Sequence, residues 1–128
     1  RLALIVVDTS IFIDHLRGND EARQALRAAT LRGDDTVASV LTKVELLAGM
    51  RSHERASVRS LMGALAWIDL TDAVAEQAGA LARRYARSHQ GVEVVDFVIA
   101  ATAQELNADL WTRNIRHFPM FRGLRAPY

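Results

Sequence analysis

The sequence predicts an α/β fold in which helices cover both faces of a mostly parallel sheet. Three observations carry this reading. An unbroken apolar run, Leu2–Val7, ends at an aspartate, as strands buried on both faces commonly do. Shorter strand-like runs recur at Thr36–Ala38, Trp67–Leu70 and Asp109–Thr112. Between them lie stretches of helical periodicity, and strands alternating with helices build a parallel sheet with helices on each side.

The elements follow in order. After Asp8, Ile11–Arg17 is predicted as a short helix that Gly18 stops. Asn19 or Asp20 caps a second helix reaching about Thr30, with Ala22, Leu26 and Ala29 along one side. Gly33-Asp34-Asp35 turns the chain into the second strand. Helices follow over Leu41–Met50 and from about His53 to Leu65, and then the Trp67–Leu70 strand. Thr71 suits an N-cap and Asp72 the positive end of a helix dipole. The long helix that they open carries an apolar stripe of Val74, Ala78, Leu81, Ala82 and Tyr85. Gln90-Gly91 opens a loop, and Asp96 begins a helix over Phe97–Leu106. Its small residues Ala100, Ala101 and Ala103 allow close approach to the sheet.

The 128 residues, without repeat, low-complexity tract or linker, fit one domain spanning 1–128. With half the residues hydrophobic, disorder is excluded. The chain has no cysteine. That removes disulfides, thiol nucleophiles and Cys-ligated zinc, and it is compatible with a reducing cytoplasm. Leu2–Val7 is too short to span a bilayer and lacks a signal-peptide layout, so a soluble cytoplasmic protein with no membrane partner is expected. A net charge of +1 neither demands nor forbids nucleic acid. Of the sixteen basic residues fifteen are Arg, with Lys43 the one lysine. Arg suits bidentate phosphate contacts, but a GC-rich genome produces the same skew. The four histidines show no paired ligand spacing, and there is no Walker A sequence, Gly-rich dinucleotide fingerprint or Gly-x-Ser-x-Gly elbow. The few, scattered aromatics form no base-stacking platform.

Four polar positions remain as candidates. Asp8 stands where a buried strand ends, the place where open α/β sheets bind ligands. Thr9 and Ser10 offer hydroxyls beside it, to a metal-bound water or to the carboxylate. A plain helix cap is the alternative. Glu45 shares a helix side with Leu41, Ala48 and Gly49, so a carboxylate lies on or beside an apolar stripe. Buried there it needs a partner or a cation; a Glu snorkelling at the stripe's edge, or paired to an Arg, is the bland reading. Asp96 heads its helix, as an ordinary N-cap would. Asn114 follows the last strand, where a turn Asn is common.

Taken in order, the segments around these positions are similar to a known family. Val6-Val7-Asp8-Thr9-Ser10-Ile11-Phe12-Ile13-Asp14, Leu41-Thr42-Lys43-Val44-Glu45-Leu46-Leu47-Ala48-Gly49, Val95-Asp96-Phe97-Val98-Ile99-Ala100-Ala101-Thr102-Ala103 and Thr112-Arg113-Asn114-Ile115-Arg116-His117-Phe118 resemble the four motifs of PIN domains, most closely those of VapC toxins. The resemblance implies a Rossmann-like α/β/α sandwich. It also implies that Asp8, Glu45 and Asp96 converge as metal ligands for Mg²⁺ or Mn²⁺, with Asn114 completing the catalytic set. One carboxylate, such as Glu45, would orient the attacking water. Asn114 stands where the wider family often has Asp, which weakens a second metal position. Thr9, Ser10, Thr112, Arg113 and Arg116 are the expected substrate contacts, with Arg122 and Arg125 further along an RNA path. Thr9 and Ser10 would also support the metal ligands. The implied activity is endoribonucleolytic, by metal-activated water, leaving a 5′-phosphate and a 3′-hydroxyl. The implied partners are RNA, a cognate VapB-like antitoxin in a type II toxin–antitoxin hetero-oligomer, and a second copy of the chain in a homodimer. Elementary electrostatics agrees that such a convergence needs a cation. Two carboxylates about 4 Å apart repel by roughly 4 kcal/mol at an effective dielectric near 20, and hard oxygen donors select Mg²⁺ or Mn²⁺.

Two rival readings stand beside this one. A haloacid-dehalogenase-like phosphatase, another Asp-dependent α/β phosphohydrolase, would place a second Asp at Ser10. Both it and a phospho-acceptor receiver would carry a late Lys, whereas Lys43 stands alone. The other rival is a non-catalytic PIN-like module that binds RNA or protein, against which the retention of all three acids argues.

Overall fold

The computed structural model describes residues 2–128. Four strands, β1 (Leu4–Val7), β2 (Asp35–Ser39), β3 (Ala66–Ile68) and β4 (Asp109–Trp111), form one sheet in the order β3-β2-β1-β4. Every neighbouring pair is parallel. Six helices connect them: α1 (Thr9–Leu16), α2 (Asp20–Arg32), α3 (Val40–Gly49), α4 (Arg55–Ala64), α5 (Asp72–Tyr85) and α6 (Val94–Glu105). This is the predicted α/β architecture with a parallel sheet.

β1 shows how the two layers arise. Successive side chains of a strand point to opposite faces. Val6 joins one buried cluster with Val37, Leu110 and residues of α5 and α6, while Ile5 and Val7 join the other with Ile11, Phe12, Ala29 and Leu46. α6 is buried without interruption from Phe97 to Ala103 and touches α3, α5 and three strands. Ala100, Ala101 and Ala103 allow that closeness. The buried Thr102 hydroxyl donates to the Val98 carbonyl at 2.7 Å, so it needs no other partner. At the end of α2, Gly33 adopts φ 83°, a left-handed value that a side chain would strain.

Helix starts depart from expectation by a few residues, for local reasons. α1 begins at Thr9, directly after β1, with no intervening loop. α3 begins at Val40 because the Ser39 side chain accepts the Leu41 amide proton. The helix expected from His53 is split into a short 3-10 turn, Ser52–Glu54, and α4. α6 begins at Val94, not at Asp96. No helix among the described residues is long and apolar enough to cross a membrane.

The strand order places the site. The chain moves outward from β1 through β2 to β3, then returns across the sheet to put β4 on the other side of β1. Such a reversal opens a crevice beyond the carboxyl ends of the strands flanking it. Asp8 directly follows β1, and Thr112 directly follows β4.

Candidate functional site

Asp8 is the most constrained acid of the site. It is 3% exposed and occupies the N-cap position of α1, yet its side chain caps nothing. Its amide donates to the Trp111 carbonyl at 2.8 Å, tying it to β4. Two hydroxyls donate to one oxygen, Oδ2: Ser10 at 2.9 Å and Thr112 at 2.7 Å. Both supports are held in turn. The Arg113 amide donates to Ser10 Oγ at 3.1 Å, and the Asn114 amide to Thr112 Oγ1 at 2.9 Å. The plain capping role is therefore excluded for the Asp8 side chain.

Glu45 reaches the site from α3. It stands exposed at the cleft rim, not on the buried stripe, and Thr9 donates to its Oε1 at 2.6 Å. Thr9 Oγ1 also lies 3.1 Å from the buried Thr42 hydroxyl. Desolvation pushes the Glu45 carboxyl above its usual range. The Thr9 bond opposes this, while the charges of Asp8, Asp96 and Glu93 add to it. Among the described residues, no Arg or Lys forms an ion pair with Glu45.

Asp96 comes from the first turn of α6. Its Oδ2 accepts the Glu93 amide at 2.9 Å, half of a capping box with the Glu93 side chain. His117 Nδ1 lies 3.3 Å from the same oxygen. Desolvation again dominates and raises its carboxyl. The Glu93 amide and His117 oppose the rise, and Asp8 and Glu93 reinforce it.

Acidic neighbours thus act on Glu45 and Asp96 at the sheet's carboxyl edge, and one of those neighbours was not expected. Glu93 raises both Glu45 and Asp96. Its place before Val94-Val95, just past a Gly loop, gave no sign of a helix cap, and only the start of α6 reveals it. His117, expected only as one of four unpaired histidines, is likewise brought to Asp96.

The expected substrate contacts divide. Thr112 is fully buried and Thr9 nearly so, and their hydroxyls donate to the carboxylates of Asp8 and Glu45. Ser10 is half-buried and does the same for Asp8. Arg113 is exposed, but Tyr128 holds its guanidinium. Arg116, Arg122 and Arg125 are exposed and make no ion pair among the described residues. Asn114 is exposed at the head of the short turn Ile115–His117, and its side chain makes no capping bond. Its link to the acids runs through its amide and Thr112.

Among the described residues, no three acids or histidines stand close enough to close around a metal ion as placed. The donor set is carboxylate oxygen with hydroxyl support, which fits a hard divalent cation.

A family model described as the PIN domain matches residues 5–121. The chain belongs to the PIN-domain family. It is 46% identical to ribonuclease VapC19 of Mycobacterium tuberculosis over 123 residues, 96% of this chain and 98% of the relative. It is 40% identical to ribonuclease VapC10 of the same organism, over 98% and 93% of the two chains. A chain of a toxin–antitoxin complex from Klebsiella pneumoniae shares the fold with a TM-score of 0.79 and 31% identity, covering 98% of each chain. One from the DNA-bound VapBC2 structure of Rickettsia felis reaches 0.81 at 19% identity, over 96% of each chain, a likeness of fold. The PIN-domain sandwich implied by the four motifs is therefore the fold of this chain.

Proposed function

We propose that this PIN domain is a VapC ribonuclease, the toxin of a toxin–antitoxin pair, and that it cleaves RNA with the help of Mg²⁺ or Mn²⁺. The observation that supports this most is the uncompensated acid cluster. The charges of Asp8, Asp96 and Glu93 all act on the Glu45 carboxyl, and among the described residues none of Asp8, Glu45 and Asp96 has an Arg or Lys as an ion-pair partner. They stand in a chain nearly half identical to a named ribonuclease.

Asp8, Glu45 and Asp96 would hold the cation, directly or through water. When bound, it would lower the pKa of a coordinated water and offset charge on the scissile phosphate. The chain's own residues prepare for that. Ser10 and Thr112 fix one Asp8 oxygen, and no donor among the described residues takes up the other. Thr9 steers Glu45, whose raised carboxyl suits it to accept a proton from the attacking water. Asn114 is a neutral oxygen donor at the rim, and Arg116 a cation for an RNA phosphate nearby.

For the antitoxin, a cleft of about 100 Å³ with apolar walls of Ile13, Leu46, Met50 and Val58, lined also by Arg17, Glu45 and Glu54, offers a seat for a partner segment. A basic side chain on that segment would neutralise the acids and exclude the cation. For the homodimer, Val44 and Val94, 59% and 72% exposed on the touching helices α3 and α6, supply apolar surface.

Purified chain incubated with RNA and Mn²⁺ should yield fragments with 5′-phosphates and 3′-hydroxyls. Cleavage should stop with EDTA and in Asp8→Asn. Cleavage that persists in EDTA and in that variant alike would sink the metal reading. Growth arrest on expression alone, relieved by the neighbouring reading frame, tests the toxin reading separately.

A further inference from the structure

Tyr128 has no place in the roles given so far, yet it is tied to the site by three contacts. Its hydroxyl donates to Asp14 Oδ2 at 2.6 Å. Its ring lies 4.6 Å from the guanidinium carbon of Arg113, within cation–π range. Its main-chain oxygen accepts from Arg113 Nη1 at 2.9 Å. The ring also packs against the cluster of Ile5, Val7, Ile11 and Phe12 under α1.

The two residues that Tyr128 joins belong to the two pieces of chain that hold Asp8. Asp14 lies on α1, the helix that starts with Thr9 and Ser10. Arg113 lies between Thr112 and Asn114, and its amide donates to Ser10 Oγ. A continuous path therefore runs from the Tyr128 ring through Arg113 to Ser10 and Thr112, and from both hydroxyls to Asp8 Oδ2.

We propose that Tyr128 is a positioning residue for Asp8, a latch that holds the 112–114 segment against α1 so that two hydroxyls stay aimed at one carboxylate oxygen. The inference rests on the reading of Asp8 as a metal-binding acid. Tyr128 touches neither Asp8 nor any reacting atom, so its effect is on geometry alone. That is enough, because small displacements of a catalytic group cost large factors in rate. Burial, followed by the neighbouring Asp14 carboxylate, holds the Tyr128 hydroxyl well above its ordinary range, so it donates at every working pH.

Amide hydrogen exchange of the metal-free full chain reads the latch without reference to metal or RNA. In Tyr128→Ala, exchange at the Arg113 and Asn114 amides should rise about ten-fold or more, while the β1 amides stay near wild-type rates. Tyr128→Phe, which keeps the ring over Arg113 and loses only the bond to Asp14, should fall between. In the same variants Mn²⁺ affinity and kcat should drop together, with KM for RNA nearly unchanged. Unaltered exchange at Arg113 and Asn114 in Tyr128→Ala overturns the latch. Faster exchange with wild-type Mn²⁺ affinity and kcat overturns its positioning role. If Tyr128→Ala loosens the whole sheet, the folded Tyr128→Phe protein decides by the same two criteria. Should wild-type chain neither bind Mn²⁺ nor cleave RNA, the proposed function fails on its own account, and exchange alone decides whether the latch exists.

Discussion

At the amino end of the sheet, Asp34 sits just before β2. It accepts the Ala3 amide at 3.1 Å and pairs with Arg32 at 2.9 Å. Those contacts, the Ala3 bond first, hold its carboxyl below the usual range. At the carboxyl end, Glu45 and Asp96 are acids too, but desolvation and the charges of Asp8 and Glu93 push both above it. Asp34, a carboxylate used for structure, is given a cation by the chain itself. The acids beyond β1, midway along α3 and at the head of α6 are given hydroxyls, amides and one histidine, and their remaining demand for positive charge is not met by an Arg or Lys ion pair among the described residues. The difference separates a site from a surface within one sheet.

The largest expected effect comes from removing the acids at the carboxyl end. Asp8→Asn and Asp96→Ala should reduce RNA cleavage to the level of a protein-free control. Asp96→Asn, which keeps an acceptor for the Glu93 amide, should leave the metal-free melting temperature equal or higher, because it relieves repulsion. Asp8→Ala is different, since it strips the acceptor from Ser10 and from the buried Thr112 hydroxyl. An unsatisfied buried group costs about 1–3 kcal/mol. Calorimetry should therefore rank Asp8→Ala below Asp8→Asn, and the reverse order would contradict the double-hydroxyl clamp.

The pH dependence of stability should run in opposite directions at the two ends. Glu45 and Asp96, with raised folded values, keep protons that the unfolded chain has already released. Metal-free stability should fall as pH rises from the ordinary carboxylate range to those raised values, then level off. Glu45→Gln together with Asp96→Asn should flatten that fall. Asp34 contributes the other way: its stabilisation is present above its ordinary value and is lost as pH drops through its lowered one. Urea titrations in EDTA across acid to neutral pH would check both signs.

Much of this comparison was legible in the sequence. The strand-ending Asp8 and the acids Glu45 and Asp96 stand inside motifs whose periodicity gives away their elements. What was not legible lies in contacts between residues far apart in the chain. Thr112 looked like a substrate contact because nothing local shows that its hydroxyl turns inward to a residue 104 positions away. Tyr128 and Asp14 are 114 apart, and no periodicity pairs them. Glu93 was missed because the start of α6 was placed at the acid two positions too late, on Asp96's own resemblance to a cap.

A smaller effect should follow from sharpening the site. Asn114→Asp would add a fifth charge at the rim, and in a Mn²⁺ titration it should tighten a second, weaker binding event. Unchanged stoichiometry and affinity would remove Asn114 from the metal shell. The smallest effect is expected at the amino end, where Asp34→Asn should lower the melting temperature slightly at neutral pH, on the scale of an exposed ion pair. It should leave cleavage untouched.

The claim that the carboxyl-end acids are held in wait for a cation is tested most directly by Mn²⁺ binding to the purified, metal-stripped chain. In a calorimetric titration, wild-type protein should bind Mn²⁺ and gain thermal stability with increasing concentration, and Asp96→Asn should lose most of both responses while remaining folded. Equal binding by the two proteins, or no binding by the wild type, would contradict the account.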